Sequence, residues 1–232
     1  MADNVELIAE IGQNWGGSLE FARILIRLAK EAGADVAKFQ WFNTDLIYRA
    51  KDPWRDEAKK CELSIKDVKT LMNECEVQGI EFMTSVFDTN RVKWCEELGV
   101  KRYKVACRSF FDRELLDAVE ATGKPVLQSV PYKMKIPKKR RKNFKYLYCV
   151  NKYPASPEDV NVFNVDFGYY DGFSDHTIGT AIPILAMMQG ARVIEKHFTT
   201  DKKLYGPDHA CSMTPAELET LARFRTLVGE HD

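Results

Sequence analysis

The sequence predicts a (β/α)8 TIM barrel of the α/β class, and three observations carry that expectation. Strand-like apolar runs alternate with helix-like segments along the whole chain. There are eight such runs, and strands joined by helix-length crossovers are forced parallel, so that eight of them close into a barrel. At 232 residues the chain is short for this fold, so 1–232 is read as a single barrel domain.

The elements follow in order. VELIAEI (5–11) leads into LEFARILIRLAKEAG (19–33), where Leu25, Leu28 and Ala29 recur at helical spacing and Gly33 supplies a stop. DVAKFQ (35–40) gives way to a polar stretch and then to the helical segment IKDVKTLMNECEVQG (65–79). IEFMTSV (80–86) precedes NRVKWCEELG (90–99), and VKRYKVAC (100–107) precedes RELLDAVEATG (113–123). PVLQSV (125–130) is the fifth strand, and its crossover is degenerate. YKMKIPKKRRKN (132–143) carries seven Lys/Arg and one Pro, with too few apolar residues to dock a helix. A solvated basic loop at 133–142 is expected there, with a polyanion patch as the alternative. FKYLYCV (144–150) leads into SPEDVNVFNV (156–165), FGYYDGFS (167–174) into IGTAIPILAMMQG (178–190), and ARVIEKHF (191–198) into TPAELETLARFRTLVG (214–229).

Lys plus Arg is 34 and Asp plus Glu is 34, so no global charge calls for nucleic acid or an anionic membrane. No run of 18 apolar residues occurs, and the N-terminus lacks the basic start and apolar core of a signal peptide. The six cysteines are scattered without a C-x-x-C pair, which suits a reduced, cytoplasmic compartment.

Chemistry in such a barrel sits at the C-terminal ends of the strands. Those ends carry Glu10, Lys38 with Gln40, Thr84 with Ser85, Lys104 with Cys107, Ser129, Tyr153, Ser174 with His176, and Glu195 with His197. The seventh and eighth strands are neighbours about 5 Å apart, so His176 and His197 can converge on one metal ion. Lys38 and Lys104 point cations into the same space, and a buried pair of lysines is costly unless an anion joins it. With hydroxyls from Ser85, Ser129 and Ser174, this implies a small, multiply anionic substrate. Taken singly, each residue also fits a plainer role: a histidine satisfied in the core, a lysine reaching solvent, a serine in a loop.

The blocks IAEIGQN, AGADVAKFQ, YKVAC, GKPVLQS, YCVNKYPASPEDVN, GFSDHTIGT, GARVIEKHFT and GPDHACS closely resemble the catalytic barrel of the N-acetylneuraminate (sialic acid) synthase family. They occur in the family's order across residues 7–213. The resemblance implies condensation of phosphoenolpyruvate with an N-acyl amino sugar or related aldehyde, giving a 2-keto sugar acid and phosphate. It implies that Lys38, Ser85, Lys104, Cys107, Ser129 and Ser174 hold phosphoenolpyruvate, and that His176 and His197 bind a divalent metal, Mn2+ or Mg2+. It further implies that Glu10, Gln40, Tyr153 and Asp208 line the sugar or orient water, with Glu195 as acid/base or water-positioning group.

The departures bear on the same site. Family Ser-Gly-Glu is here Cys107-Arg108-Ser109, so a hydroxyl becomes a thiol and a carboxylate is lost. Family Ser-Thr-Gly-Met is Ser129-Val130-Pro131-Tyr132, and His-Asn-Gly is Trp15-Gly16-Gly17. The matching blocks contain no C-terminal antifreeze-like domain, whose arginine in family dimers reaches the N-acyl group in the partner's site. Sugar recognition is therefore expected to be looser, differently built, or supplied by a separate antifreeze-like protein, with the barrel itself a homodimer. Two other functions stay open: another metal-dependent aldolase or condensing enzyme on this barrel, and a non-catalytic partner subunit that binds sugar acids. Neither nucleic acid nor membrane is expected as a partner.

Overall fold

The computed structural model describes residues 5–229, so the domain read over 1–232 runs past them at both ends. Its eight parallel strands are β1 Glu6–Gly12, β2 Val36–Trp41, β3 Glu81–Val86, β4 Tyr103–Val105, β5 Val126–Pro131, β6 Phe144–Cys149, β7 Gly172–Asp175 and β8 Val193–His197. They close in chain order, and β8 pairs back onto β1. The helices are α1 Leu19–Glu31, α2 Thr44–Ile47, α3 Arg55–Lys60, α4 Ile65–Gln78, α5 Thr89–Leu98, α6 Arg113–Ala121, α7 Pro157–Val160, α8 Ala181–Met188 and α9 Pro215–Gly229. No helix among the described residues is long and apolar enough to cross a membrane.

Local chemistry sets the helix ends. The Ser18 side chain accepts from the Phe21 amide to start α1, and Ser64 and Asp67 form a reciprocal capping box at α4. Gly79 ends α4 at φ +66°, a left-handed position that suits glycine.

Three expectations need correction. The polar stretch after β2 contains two short helices, α2 and α3. The segment 156–165 is one turn of α-helix, because Asn161 at φ 47° stops it before a 3-10 turn at Val162–Asn164. The seventh strand starts at Gly172 because Asp166 Oδ1 accepts from the Gly168 and Tyr169 amides and folds the preceding residues into a turn.

Side chains two apart on a strand share a face, so the barrel interior is built in layers. The lowest layer holds Glu6, Glu81 and Arg102, whose guanidinium donates to Glu81 at 2.7 Å and to Glu6 at 2.9 Å. Above it lies an apolar plug of Ile8, Val36, Met83, Leu127, Leu147 and Val193. Two residues further along the same strands come Glu10, Lys38, Ser85, Ser129, Cys149 and Glu195, all buried. The alternate residues, such as Leu7, Ala9, Ala37 and Phe39, face the helices in the larger outer core.

Residues 132–143 contain no helix, as their composition predicts. Most of residues 133–142 are exposed, as a solvated basic loop requires, but the segment is also pinned to the fold. Ile136 is buried, Arg140 lies over the Tyr146 and Tyr169 rings at 5.2 and 5.9 Å, and Arg141 lies over Phe144 at 5.9 Å. Arg141 also pairs with Asp117 at 2.7 Å, and with Glu120. Guanidinium stems and rings thus cover the β5–β6 surface that a helix would otherwise cover.

Among the described glycines, Gly172 sits closest against a neighbouring strand's backbone. A Cβ there would stand 2.2 Å from the Val193 carbonyl oxygen, a backbone atom that cannot swing aside. Gly172→Ala is therefore expected to cost about 1–3 kcal/mol by overpacking. The check is a lower urea midpoint at an unchanged denaturant slope.

Candidate active site

The layer above the apolar plug is charged, and its charges are paired. Lys38 Nζ lies 2.5 Å from Glu10 Oε2, 3.1 Å from Ser85 Oγ and 3.5 Å from Glu195 Oε2. Lys104 Nζ lies 2.8 Å from Ser129 Oγ and 3.3 Å from Glu195 Oε1. Ser174 donates to Glu195 at 2.8 Å, and Gln40 donates to Glu10 at 2.7 Å. Glu195 thus bridges the two lysines. This corrects the expectation that the lysine pair needs an external anion, because two carboxylates of the chain already supply one.

Electrostatics follow from the arrangement. Burial works against the charge on Glu195, but Lys104, Lys38 and the Ser174 hydroxyl pull its carboxyl down to about 2. Burial raises Glu10 above the ordinary carboxylate value, with Lys38 opposing and Glu195 adding to the rise. Burial also disfavours charge on Lys38, yet attraction by Glu10 and Glu195 leaves it above the usual lysine value.

Over this layer stand the two histidines, as their positions at the ends of neighbouring strands predict. Their ring centroids are 5.7 Å apart, and the Tyr153 ring lies tilted 4.0 Å from His176 and edge-on 6.0 Å from His197. His176 Nδ1 is 2.8 Å from the Val150 carbonyl, which fixes that nitrogen as the N–H and leaves Nε2 with a lone pair. His197 Nδ1 is buried without a hydrogen-bond partner, 3.9 Å from Asp208 Oδ2. Burial holds both imidazoles near 4, hence neutral and able to donate to a cation. Two adjacent neutral rings, one with an orphaned nitrogen, offer two donors of the kind a divalent metal takes, and among the described residues no third His, Cys, Asp or Glu joins them in one cluster.

An ion pair on the outer face sets the position of His176. Lys196 Nζ is 2.6 Å from Asp175 Oδ2 and also donates to the Thr177 carbonyl, while Asp175 accepts from the Thr177 amide at 2.9 Å and hydroxyl at 3.0 Å. The turn carrying His176 is clamped on both sides.

The mouth is a cavity of about 360 Å3. It brings together the predicted Gln40, Cys107, Tyr153, His197 and Asp208, and places the predicted lysine–serine layer beneath them. Sequence reasoning missed Gln13, Tyr48, Asp52, Trp54 and Asn151, which also line it. Gln13 donates to the Tyr48 hydroxyl at 2.7 Å, and Trp54 packs on Tyr205 at 5.3 Å. Arg108 reaches the mouth too, its guanidinium 5.6 Å from the Tyr48 ring and 2.5 Å from the Ile47 carbonyl. Tyr48, Asp52 and Trp54 lie in the long β2–α4 connection, where loop position on the catalytic face is the only available signal.

Comparison with known proteins agrees with this geometry. Residues 25–228 match the model of the NeuB family. The chain is 35% identical to the N,N'-diacetyllegionaminic acid synthase of Legionella pneumophila, over 94% of this chain and 70% of that one. It is 34% identical to the human N-acetylneuraminate-9-phosphate synthase, over 96% of this chain and 69% of that one. The crystal structure of the N-acetylneuraminic acid synthetase of Leptospira borgpetersenii superposes with a TM-score of 0.92 at 30% identity, covering 99% of this chain and 85% of that one.

Proposed function

The chain belongs to the NeuB family, and on that premise we propose that it condenses phosphoenolpyruvate with an N-acyl amino sugar or related aldehyde. The products are a 2-keto sugar acid and phosphate. One observation supports the reading: a buried layer of two ammonium groups, paired with Glu10 and Glu195, and three serine hydroxyls lies beneath a pair of neutral imidazoles. Ammonium and hydroxyl groups suit the phosphate and carboxylate of one substrate, and the open mouth above them suits the other.

In this assignment Lys38, Lys104, Ser85, Ser129 and Ser174 hold phosphoenolpyruvate, with Cys107 at the edge of its subsite. Gln40, Tyr153 and Asp208 line the aldehyde, and Glu10 lies at its reacting end. His176 and His197 would hold Mn2+ or Mg2+, which when bound supplies Lewis-acid polarisation of the aldehyde carbonyl. The C2=C3 π pair of phosphoenolpyruvate forms the new bond from C3 to the aldehyde carbon, the carbonyl π pair moves onto the aldehyde oxygen, and positive charge develops at C2; the proton released by the water that adds there neutralises that oxygen. In this assignment Glu195, between two lysines, positions the water or acts as acid/base, and its carboxylate stabilises the charge at C2. Water adds at C2, and the tetrahedral intermediate expels phosphate by C–O cleavage.

The test is phosphate release from phosphoenolpyruvate across a panel of aldehydes, with and without Mn2+. Phosphate released in step with aldehyde consumption is the expected result. Aldehyde-independent release, or binding without any turnover, would overturn the condensation and favour the non-catalytic alternative.

A further inference from the structure

A run of side chains climbs one wall of the mouth, and its donor and acceptor ends can be assigned from the floor upward. Glu10 meets the Lys38 ammonium at 2.5 Å through Oε2, so its carboxylate is an acceptor and Gln40 Nε2 must donate to Oε1 at 2.7 Å. That orientation turns Gln40 Oε1 away from Glu10, and Gln13 Nε2 faces it across a long 3.5 Å. The same Gln13 amide nitrogen donates to the Tyr48 hydroxyl at 2.7 Å. Toward Gln13 the Tyr48 oxygen is therefore an acceptor, and its own proton is left to give away. Among the described residues no group accepts that proton.

Tyr48 is also held in place. It follows α2 directly, its amide donates to the Thr44 carbonyl at 2.9 Å, and its carbonyl accepts from Arg55 at 2.9 Å. Its ring packs 6.1 Å from Phe42, and the Arg108 guanidinium lies 5.6 Å from it, tethered to the Ile47 carbonyl at 2.5 Å. Burial raises Tyr48 above the ordinary tyrosine value, so the hydroxyl keeps its proton. The hydroxyl thus enters the mouth as a fixed, neutral donor. Asp52 and Asp208 line the same cavity, and carboxylates serve the O–H and N–H groups of a ligand. A lone pair on the ligand needs a donor instead.

We propose that Tyr48 is a specificity-determining residue, donating its O–H to the acyl carbonyl oxygen of the second substrate. The assignment rests on the reading given under Proposed function and narrows it. An amide oxygen is a stronger acceptor than the hydroxyl oxygens of a sugar, so it is the best match for a single fixed donor. An analogue without the acyl group leaves the Tyr48 proton unpaired and is selected against. Gln13 is a positioning residue in this scheme, because it occupies the Tyr48 lone pair and sets the direction of the O–H. Acyl recognition is thereby built into the β2–α4 connection of this chain.

The test is calorimetric titration of the whole protein with two open-chain alditols that cannot react, N-acetylmannosaminitol and 2-deoxyglucitol, with and without phosphoenolpyruvate. The second lacks the acylamino group of the first. The parent protein is expected to bind the acylated alditol more tightly. Tyr48→Phe keeps the ring and should weaken that ligand about two- to tenfold, the worth of one neutral hydrogen bond, with 2-deoxyglucitol unchanged. Gln13→Glu has the same shape but accepts the hydroxyl proton itself, so the preference should fall with the hydroxyl still present. Equal binding of the two alditols by the parent, an undiminished preference in either variant, or a preference lost in Arg108→Ala but kept in Tyr48→Phe would overturn the proposal. Turnover plays no part in this readout. Preference lost in Tyr48→Phe, with no condensation across the aldehyde panel, counts against the proposed reaction and leaves Tyr48 assigned. Condensation with the preference intact in Tyr48→Phe does the reverse.

Discussion

Replacing Glu195 by Gln is expected to lower kcat by about 10²–10³-fold, the usual effect of losing one preorganised electrostatic partner of a transition state. The KM for phosphoenolpyruvate should stay level or fall. Glu195 Oε1 and Oε2 sit 3.3 and 3.5 Å from Lys104 and Lys38, so neutralising the carboxylate leaves both ammonium groups freer to meet an anionic substrate. The amide keeps the shape and can still accept from Ser174. A loss confined to kcat means the charge acts only as reaction proceeds. A raised KM with kcat unchanged would show that Glu195 merely spaces the two lysines.

Replacing Lys196 by Met should destabilise the fold by about 3–5 kcal/mol, the cost of leaving one member of a buried ion pair without its partner. Lys196 and Asp175 are both fully buried, and their contact at 2.6 Å holds the turn on which His176 sits. The measurement is a urea unfolding curve, read together with Mn2+ affinity, since loosening this turn also displaces a proposed ligand. Adding Asp175→Asn to Lys196→Met should recover part of the loss, because the stranded charge is then gone. No recovery would mean that the pair matters through packing alone.

The barrel was legible because its evidence is repetitive: period-two apolar runs such as LIAEI and VAKFQ, each followed by a helical period. The same alternation places Ile8 below Glu10 and Val36 below Lys38, so the vertical order of the interior can also be read. Partner choice within a layer cannot. That Glu195 bridges Lys38 and Lys104 depends on the register of β8, β1, β2, β3 and β4 around a closed ring. The convergence of His176 and His197 needed only two adjacent strands, and their sequence positions sufficed. Tyr48 and Trp54 sit in a connection without apolar periodicity, where nothing distinguishes a cavity-lining ring from a surface one. Arg140 and Arg141 read as solvent charges because a charge run does not reveal which rings lie beneath it.

The plug of Ile8, Val36, Met83, Leu127, Leu147 and Val193, braced below by Arg102 with Glu6 and Glu81, closes one end of the barrel. Among the described residues the barrel interior therefore opens at the strands' C-terminal end. Under the proposed assignment the anion-holding layer is the far end of a blind shaft, and the aldehyde sits between that layer and the exit. Whatever occupies the deep position has to pass through before the second molecule arrives, and cannot withdraw while it remains. A sealed floor thus imposes a queue: the order of arrival is set by depth, independently of how tightly either substrate binds.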